Sequence, residues 1–159
     1  MGARSDALAE QLEAKAQEAT AILENLSDAD WKKVTEAEKW TVGVTAHHLA
    51  SGLEPVAGMV STIASGQSRD HFTRAMLDEL NARHAQEHAH CTKAETLALL
   101  KRGAAAAAAV VRGLQDEQLA TSGTVFTDAP PMTTDQLITN GLIAHIDAHF
   151  GSIRKTVGH

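Results

Sequence analysis

Apolar residues recur at three- and four-residue spacing along most of this chain, and nowhere do they alternate over the length of a strand. That restricts the fold to packed helices. The first segment, roughly Ser5 to Leu26, places Leu8, Leu12, Ala16, Ala19, Ile22 and Leu23 on one helical stripe. A polar connection from Ser27 to Lys39 follows, carrying Trp31 and leading to Trp40. Thr41 is placed to cap a second helix that runs to about Ser65, with Gly66 just beyond its end. The pattern predicts a third helix over Arg69 to His90. A capping box, Thr92-Lys93-Ala94-Glu95, opens a fourth that ends near Gly113. Within it the run from Ala104 to Ala109 is a strong helix former whose side chains say little. Asp116 to Leu119 reads as one further turn.

Gly123, Pro130 and Pro131 mark Thr121 to Met132 as a loop, open to two readings: a mobile lid or an ordinary connection. Thr133 with Gln136 repeats the capping-box pattern and starts a last helix running to about Val157. Thr124-Val125-Phe126 is too short to count as a strand. Four long helices and one shorter or outer one make an all-α bundle, read as a single domain over residues 1–159.

Composition excludes several classes. The 159 residues suffice for a sizeable core, and no window reaches the roughly 18 apolar residues of a membrane helix. The N-terminus turns acidic and amphipathic at once, unlike a secretory signal. A formal charge of −6, without a Lys/Arg cluster, argues against nucleic acid as partner. One cysteine, Cys91, permits no internal disulfide and suits a reducing cytoplasm. The expectation is a soluble cytoplasmic protein with no membrane or nucleic-acid partner.

Nine histidines, by contrast, are many for this length, and they are clustered. Successive helical residues are about 100° apart around the axis. On the last helix Ile138, Leu142, Ile146 and Ile153 share an apolar face, and His145 and His149 lie within or beside it. On the second helix the inward arc is Val44, Leu49, Leu53, Val56, Val60 and Ile63. His48 falls inside that arc, whereas His47 points the other way with Glu54. Inward imidazoles are costly unless each nitrogen finds a partner. An i,i+4 pair plus one histidine from a facing helix can hold a single divalent ion and leave a position open. The competing reading is three core histidines bonded to carbonyls.

His84 and His88 form a second i,i+4 pair, but Asn81, Arg83, Gln86 and Glu87 surround them and the apolar stripe Phe72, Met76 and Leu80 has faded there. They read, with His90, as solvated or rim residues. Asn81, Arg83 and Glu87 read likewise as solvated, with a pocket-facing role as the alternative. His71 and His159 stand outside every pattern. Nothing nearby marks Cys91 as an activated thiolate. Trp31 and Trp40 either pack the first connection onto the bundle or line a pocket beside His48. Pro55 predicts a kink in the second helix.

The segment from Trp40 to Ala50 resembles the DinB-like (damage-inducible) superfamily, where a tryptophan opens the second helix and a metal-binding histidine followed by leucine comes eight residues later. That offset falls on His48. His145-Ile146-Asp147-Ala148-His149 is similar to the family's closing H-x-x-x-H helix, and Asn81-Ala82-Arg83 and Thr92 to Leu100 fit between. The resemblance implies a four-helix bundle in up-down-down-up order, often a homodimer, with a divalent ion such as zinc or nickel on His48, His145 and His149. It further implies a small-molecule substrate and a low-molecular-weight thiol as cosubstrate, as in thiol-dependent S-transferases and the mycothiol-dependent maleylpyruvate isomerase. The isomerase's metal set includes a glutamate where this chain has histidine throughout, which favours the transferase-like group; the alternatives are a small metal-dependent hydrolase and a non-catalytic, stress-associated metal- or ligand-binding bundle. No carboxylate that would orient the ligand histidines is evident, since Asp147 and Glu54 are out of helical phase.

Overall fold

The computed structural model describes residues 2–158; His159 lies outside them. Its long helices are α1 (Ala3–Glu24), α3 (Val42–Ala64), α4 (Arg74–Glu87), α5 (Lys93–Arg112) and α8 (Ala144–Val157). Short turns are α2 (Asp28–Trp31), α6 (Asp116–Leu119) and α7 (Thr134–Ile138), which leads into α8 through a π-helical turn, Thr139–Ile143. Two-residue strands β1 (Ser122–Gly123) and β2 (Met132–Thr133) pair antiparallel and pinch the long loop at its base. The helix starts follow their caps: Thr41, Thr92 and Thr133 each accept from the backbone three residues on.

Contacts between the ends give the helix directions. Lys93, at the start of α5, donates to the Leu26 carbonyl just past α1 (2.9 Å), and Arg112 at its end grips Glu13, so α1 and α5 are antiparallel. Trp31 Nε1–H donates to the Cys91 carbonyl (2.9 Å) while its ring lies on Gly43, so α3 and α5 start side by side and run parallel. Arg4 pairs with Asp135 and Lys15 with Asp147, which sets the final helix parallel to α1. The order is up-down-down-up. Helices α1 and α3 lie diagonally, each packed on α5 and α8.

The core fills this bundle with Leu8, Leu12, Leu23, Leu49, Leu53, Leu100, Ile138, Leu142 and Ile153. The alanine run matters more than its side chains suggest. Ala104, Ala107 and Ala108 are buried, and Gly103 sits against Leu53 and the Ala50 carbonyl, so α5 approaches α3 closely because nothing larger intervenes. The third helix is shorter than the expected Arg69 to His90. It also buries no residue: Met76 and Leu80 of its apolar stripe are 44% and 47% exposed. It runs along the outside, from the far end of α3 back toward the start of α5.

The loop from Thr121 to Met132 closes the end of the bundle where α3 finishes. Gly123 lies on Ile63, Phe126 stacks on Phe72, and Thr127 N–H bonds the Phe72 carbonyl. That is roughly 20 Å along α3 from His48, so the lid reading does not hold for the histidines. Trp31 takes the packing role.

A methyl group on Gly43 would stand 2.5 Å from the Trp31 ring. Gly43→Ala should therefore destabilise the protein by about 1–3 kcal/mol in urea unfolding; an unchanged midpoint would show that Trp31 is not held there.

Candidate metal centre

Helix α3 presents two adjacent histidines near its start, and each meets a histidine pair from a different neighbour. His48 faces α8: its ring centroid lies 5.7 Å from that of His145 and 5.0 Å from that of His149, both edge-on. One nitrogen from each of the three rings can be chosen so that all lie within 4.8 Å of one another. That spread suits a shared ion. The π turn adds a residue to the helical path two positions before His145, and such bulges often adjoin functional side chains.

The surroundings of His149 bear directly on metal binding. Its Nδ1 is 2.7 Å from Glu38 Oε2, and Ser152 Oγ–H donates to Glu38 Oε1 at 2.7 Å. Burial alone would raise the Glu38 carboxyl, but the bonds from Ser152 and His149 outweigh it and hold its pKa below the usual value. An ionised carboxylate only accepts, so Nδ1 carries a proton and Nε2 is the nitrogen of His149 left for a metal. Sequence reasoning named no such partner. Glu38 lies 111 residues from His149 and arrives on a tight loop that helical phase does not describe.

That loop is a small hairpin. Val34 bridges Thr41, Thr35 N–H bonds the Trp40 carbonyl (2.8 Å), and Lys39 closes the turn with φ of 63°. A left-handed lysine costs on the order of 1 kcal/mol. Its neighbours on either side both reach the histidines: Glu38 bonds His149, and the Trp40 ring lies 5.0 Å from that of His48. Asp147 and Glu54 are engaged elsewhere, with Lys15 and Arg102.

His47 corrects the expectation from helical phase. It does point away from His48, but α4 covers it, and it is only 6% exposed. His84 and His88 pack on it from α4. His47 Nδ1 lies 2.8 Å from His84 Nε2, and the His47 and His88 rings stack at 4.3 Å. These three also offer nitrogens within 4.8 Å of one another. His84 and His88 are thus not simply solvated, whereas His90, Arg83 and Glu87 are exposed. The sequence signal was present in the i,i+4 pair; what phase could not supply was the outer helix that buries His47. Cys91 is buried, and burial raises its thiol pKa, which removes it as a nucleophile.

Burial also keeps His48, His145 and His84 neutral. The His48 pKa falls to about 3, through burial first and then the neighbouring His149 and His145. His145 falls to about 4 through burial and His149, and His84 to about 4 through burial, His47 and His88. Neutral imidazoles are the form that binds metal.

With this geometry in view, two comparisons bear on the chain. The sequence pattern of the family described as the mycothiol maleylpyruvate isomerase N-terminal domain matches residues 12–138. The fold is similar to that of YfiT from Bacillus subtilis, described as a probable metal-dependent hydrolase with an unusual four-helix bundle topology. The TM-score is 0.74 at 19% identity, covering 99% of this chain and 90% of that one. Among curated proteins, none matches the sequence.

Two expectations follow from the site. Glu38→Gln should leave the fold intact but weaken zinc binding about 10–100-fold in competition with a chromophoric chelator, because the amide no longer fixes the His149 tautomer; unchanged affinity would make Glu38 a packing residue only. The second concerns acid. Unfolding returns the histidines to a pKa near 6.5, so below that pH the unfolded chain takes up protons the fold refuses. The metal-free protein should lose stability as pH falls from about 6.5 toward about 4, where His84 and His145 titrate in the fold. Thermal unfolding in a chelator between pH 7.5 and 5 checks this, and a flat profile would contradict it.

Proposed function

Because the chain belongs to the mycothiol maleylpyruvate isomerase N-terminal domain family, and with it to the DinB-like superfamily, we propose that it is a metal-dependent enzyme with one divalent ion on His48, His145 and His149. The observation that carries this reading is the bond between Glu38 and His149. A core histidine needs no carboxylate on one nitrogen while its ring stands edge to face with two more imidazoles. Zinc or nickel suits an all-imidazole set.

The favoured reaction is transfer of a low-molecular-weight thiol to a small electrophile. A divalent ion on three neutral imidazoles keeps its full charge and lowers the pKa of a thiol or water beside it. The remaining work falls to the protein. Glu38 and Ser152 hold His149 in one tautomer and one orientation. Trp40 lies against His48 and shields that face from water. The low pKa values of His48 and His145 keep both rings neutral, each with one nitrogen open to a metal, in weak acid. Three histidines, in place of a set that includes glutamate, support transfer over isomerisation. Hydrolysis is the second reading, supported by the likeness in fold to YfiT, which is itself described as a probable hydrolase; water would then take the place of the thiol.

The test is elemental analysis followed by turnover. The expectation is an ion lost in His48→Ala and in His149→Ala, and conjugation of cysteine, glutathione or mycothiol to chlorodinitrobenzene that falls roughly 100-fold or more in the same variants. Metal-dependent ester cleavage without any thiol would replace transfer by hydrolysis. A wild-type protein that takes up no ion after dialysis against zinc and nickel would end both readings.

A further inference from the structure

The histidines on the other side of α3 are not used by that chemistry. His47, His84 and His88 bring three ring nitrogens within 4.8 Å of one another, the same spread as the first set, and repeat its plan: one histidine from α3 and an i,i+4 pair from the helix opposite. We propose that they form a second site for a divalent transition metal, back to back with the first, and that the ion clamps α4 to α3.

Two observations point to a ligand rather than to simple packing. First, hydrogen bonding within the set leaves it unsatisfied. One N–H shared between His47 Nδ1 and His84 Nε2 uses one nitrogen of each ring, and Ser51 Oγ approaches the same His84 nitrogen at 3.3 Å. The two nitrogens that meet are the ones that would hold the ion; His84 Nδ1 is buried with no partner among the described residues and would be its uncoordinated nitrogen. Second, apolar burial does not explain why this end of α4 lies on α3, because α4 has no buried residue and leaves Met76 and Leu80 exposed. Its first turn is secured by Thr73, by Asp128 and by the Phe72–Phe126 stack. Its last turn has the histidines.

The adjustment required is small. Two nitrogens on one tetrahedral ion at 2.0–2.1 Å stand about 3.3 Å apart, so the 2.8 Å pair of His47 and His84 has to part by about half an ångström. Imidazole donors suit zinc, nickel, cobalt or copper. An ion here would tie a surface helix to the bundle by bonds at one end and so slow its local opening.

The proposal stands independently of the first site, and one titration separates them. Metal-free full-length protein is titrated with Co2+ by equilibrium dialysis and d–d absorption, alongside His84→Ala/His88→Ala and His145→Ala/His149→Ala. The α4 substitutions place good helix formers on an outer helix, and circular dichroism checks that the fold survives. The expected result is two equivalents in the wild type and one in each double variant. Backbone amides of α4 should exchange roughly 100-fold more slowly at a Co2+ concentration one hundred times Kd, both in the wild type and in His145→Ala/His149→Ala, but not in His84→Ala/His88→Ala. A second equivalent that survives His84→Ala/His88→Ala, or a wild type whose one equivalent disappears with His145→Ala/His149→Ala, overturns the second site. A single equivalent lost only with His84→Ala/His88→Ala supports it and overturns the first.

Discussion

An imidazole removed from water needs something at each nitrogen, and the first turns of α3 set two such rings side by side. Because successive helical residues diverge by about 100°, His47 and His48 face different helices, although the His84 ring lies within 5.8 Å of both. The chain answers with two helices, α8 on one flank and α4 on the other, each offering histidines four residues apart. The placement of α3 between them follows from the up-down-down-up order. Parallel packing with α5 frees one of its long faces for the final helix, and the outer return of α4 covers another. The histidine layer is therefore a consequence of topology as much as of local sequence.

Local departures from regular backbone gather at the same end. Lys39 takes a left-handed conformation between Glu38 and Trp40, the π turn immediately precedes α8, and Gly43 lets the Trp31 ring lie flat on α3. Each is unfavourable or sterically exacting by itself, and each is tolerated because the surrounding packing leaves no cheaper alternative. At the opposite end the tight positions, left-handed Gly66 and Gly123 against Ile63, are glycines, which bear them at little cost. There a two-residue ladder and a Phe72–Phe126 stack close the bundle.

What could be read from the sequence follows the same division. Helix number, caps and the core faces of α1, α3, α5 and α8 obey the 3.6-residue period, and the period shows that His48, His145 and His149 lie on inward arcs. The fate of His47 was not legible. A helical wheel reports that a residue faces away from one core, not whether another helix lies over it. The covering helix buries no apolar residue, and it meets α3 through imidazoles rather than leucines. Glu38 escaped notice for a different reason: its position depends on a hairpin with a strained residue, and neither period nor propensity describes that. The alanine run looked uninformative because its effect is a helix–helix distance, which no single side chain displays.

The two histidine sets resemble one another in plan but not in electrostatics, and the difference bears on how they would be used. The first has an ionised carboxylate bonded to one member, so a divalent charge there is partly balanced within the site. The second has no carboxylate hydrogen-bonded to any of its rings among the described residues, and its third member lies on a helix held by few contacts. On the readings proposed above, the charge of an ion on the first set would raise the cost of a second one nearby, since the His48 and His84 rings are 5.8 Å apart. On those readings the site with the carboxylate would fill first and hold its ion more tightly, and the other would exchange its ion more freely. A resident ion with an open position suits chemistry, whereas an exchangeable ion between a surface helix and the bundle suits control of access or stability. The asymmetry lies in hydrogen bonding: the hairpin delivers Glu38 directly onto His149, whereas Glu95 acts on His47 only through its charge.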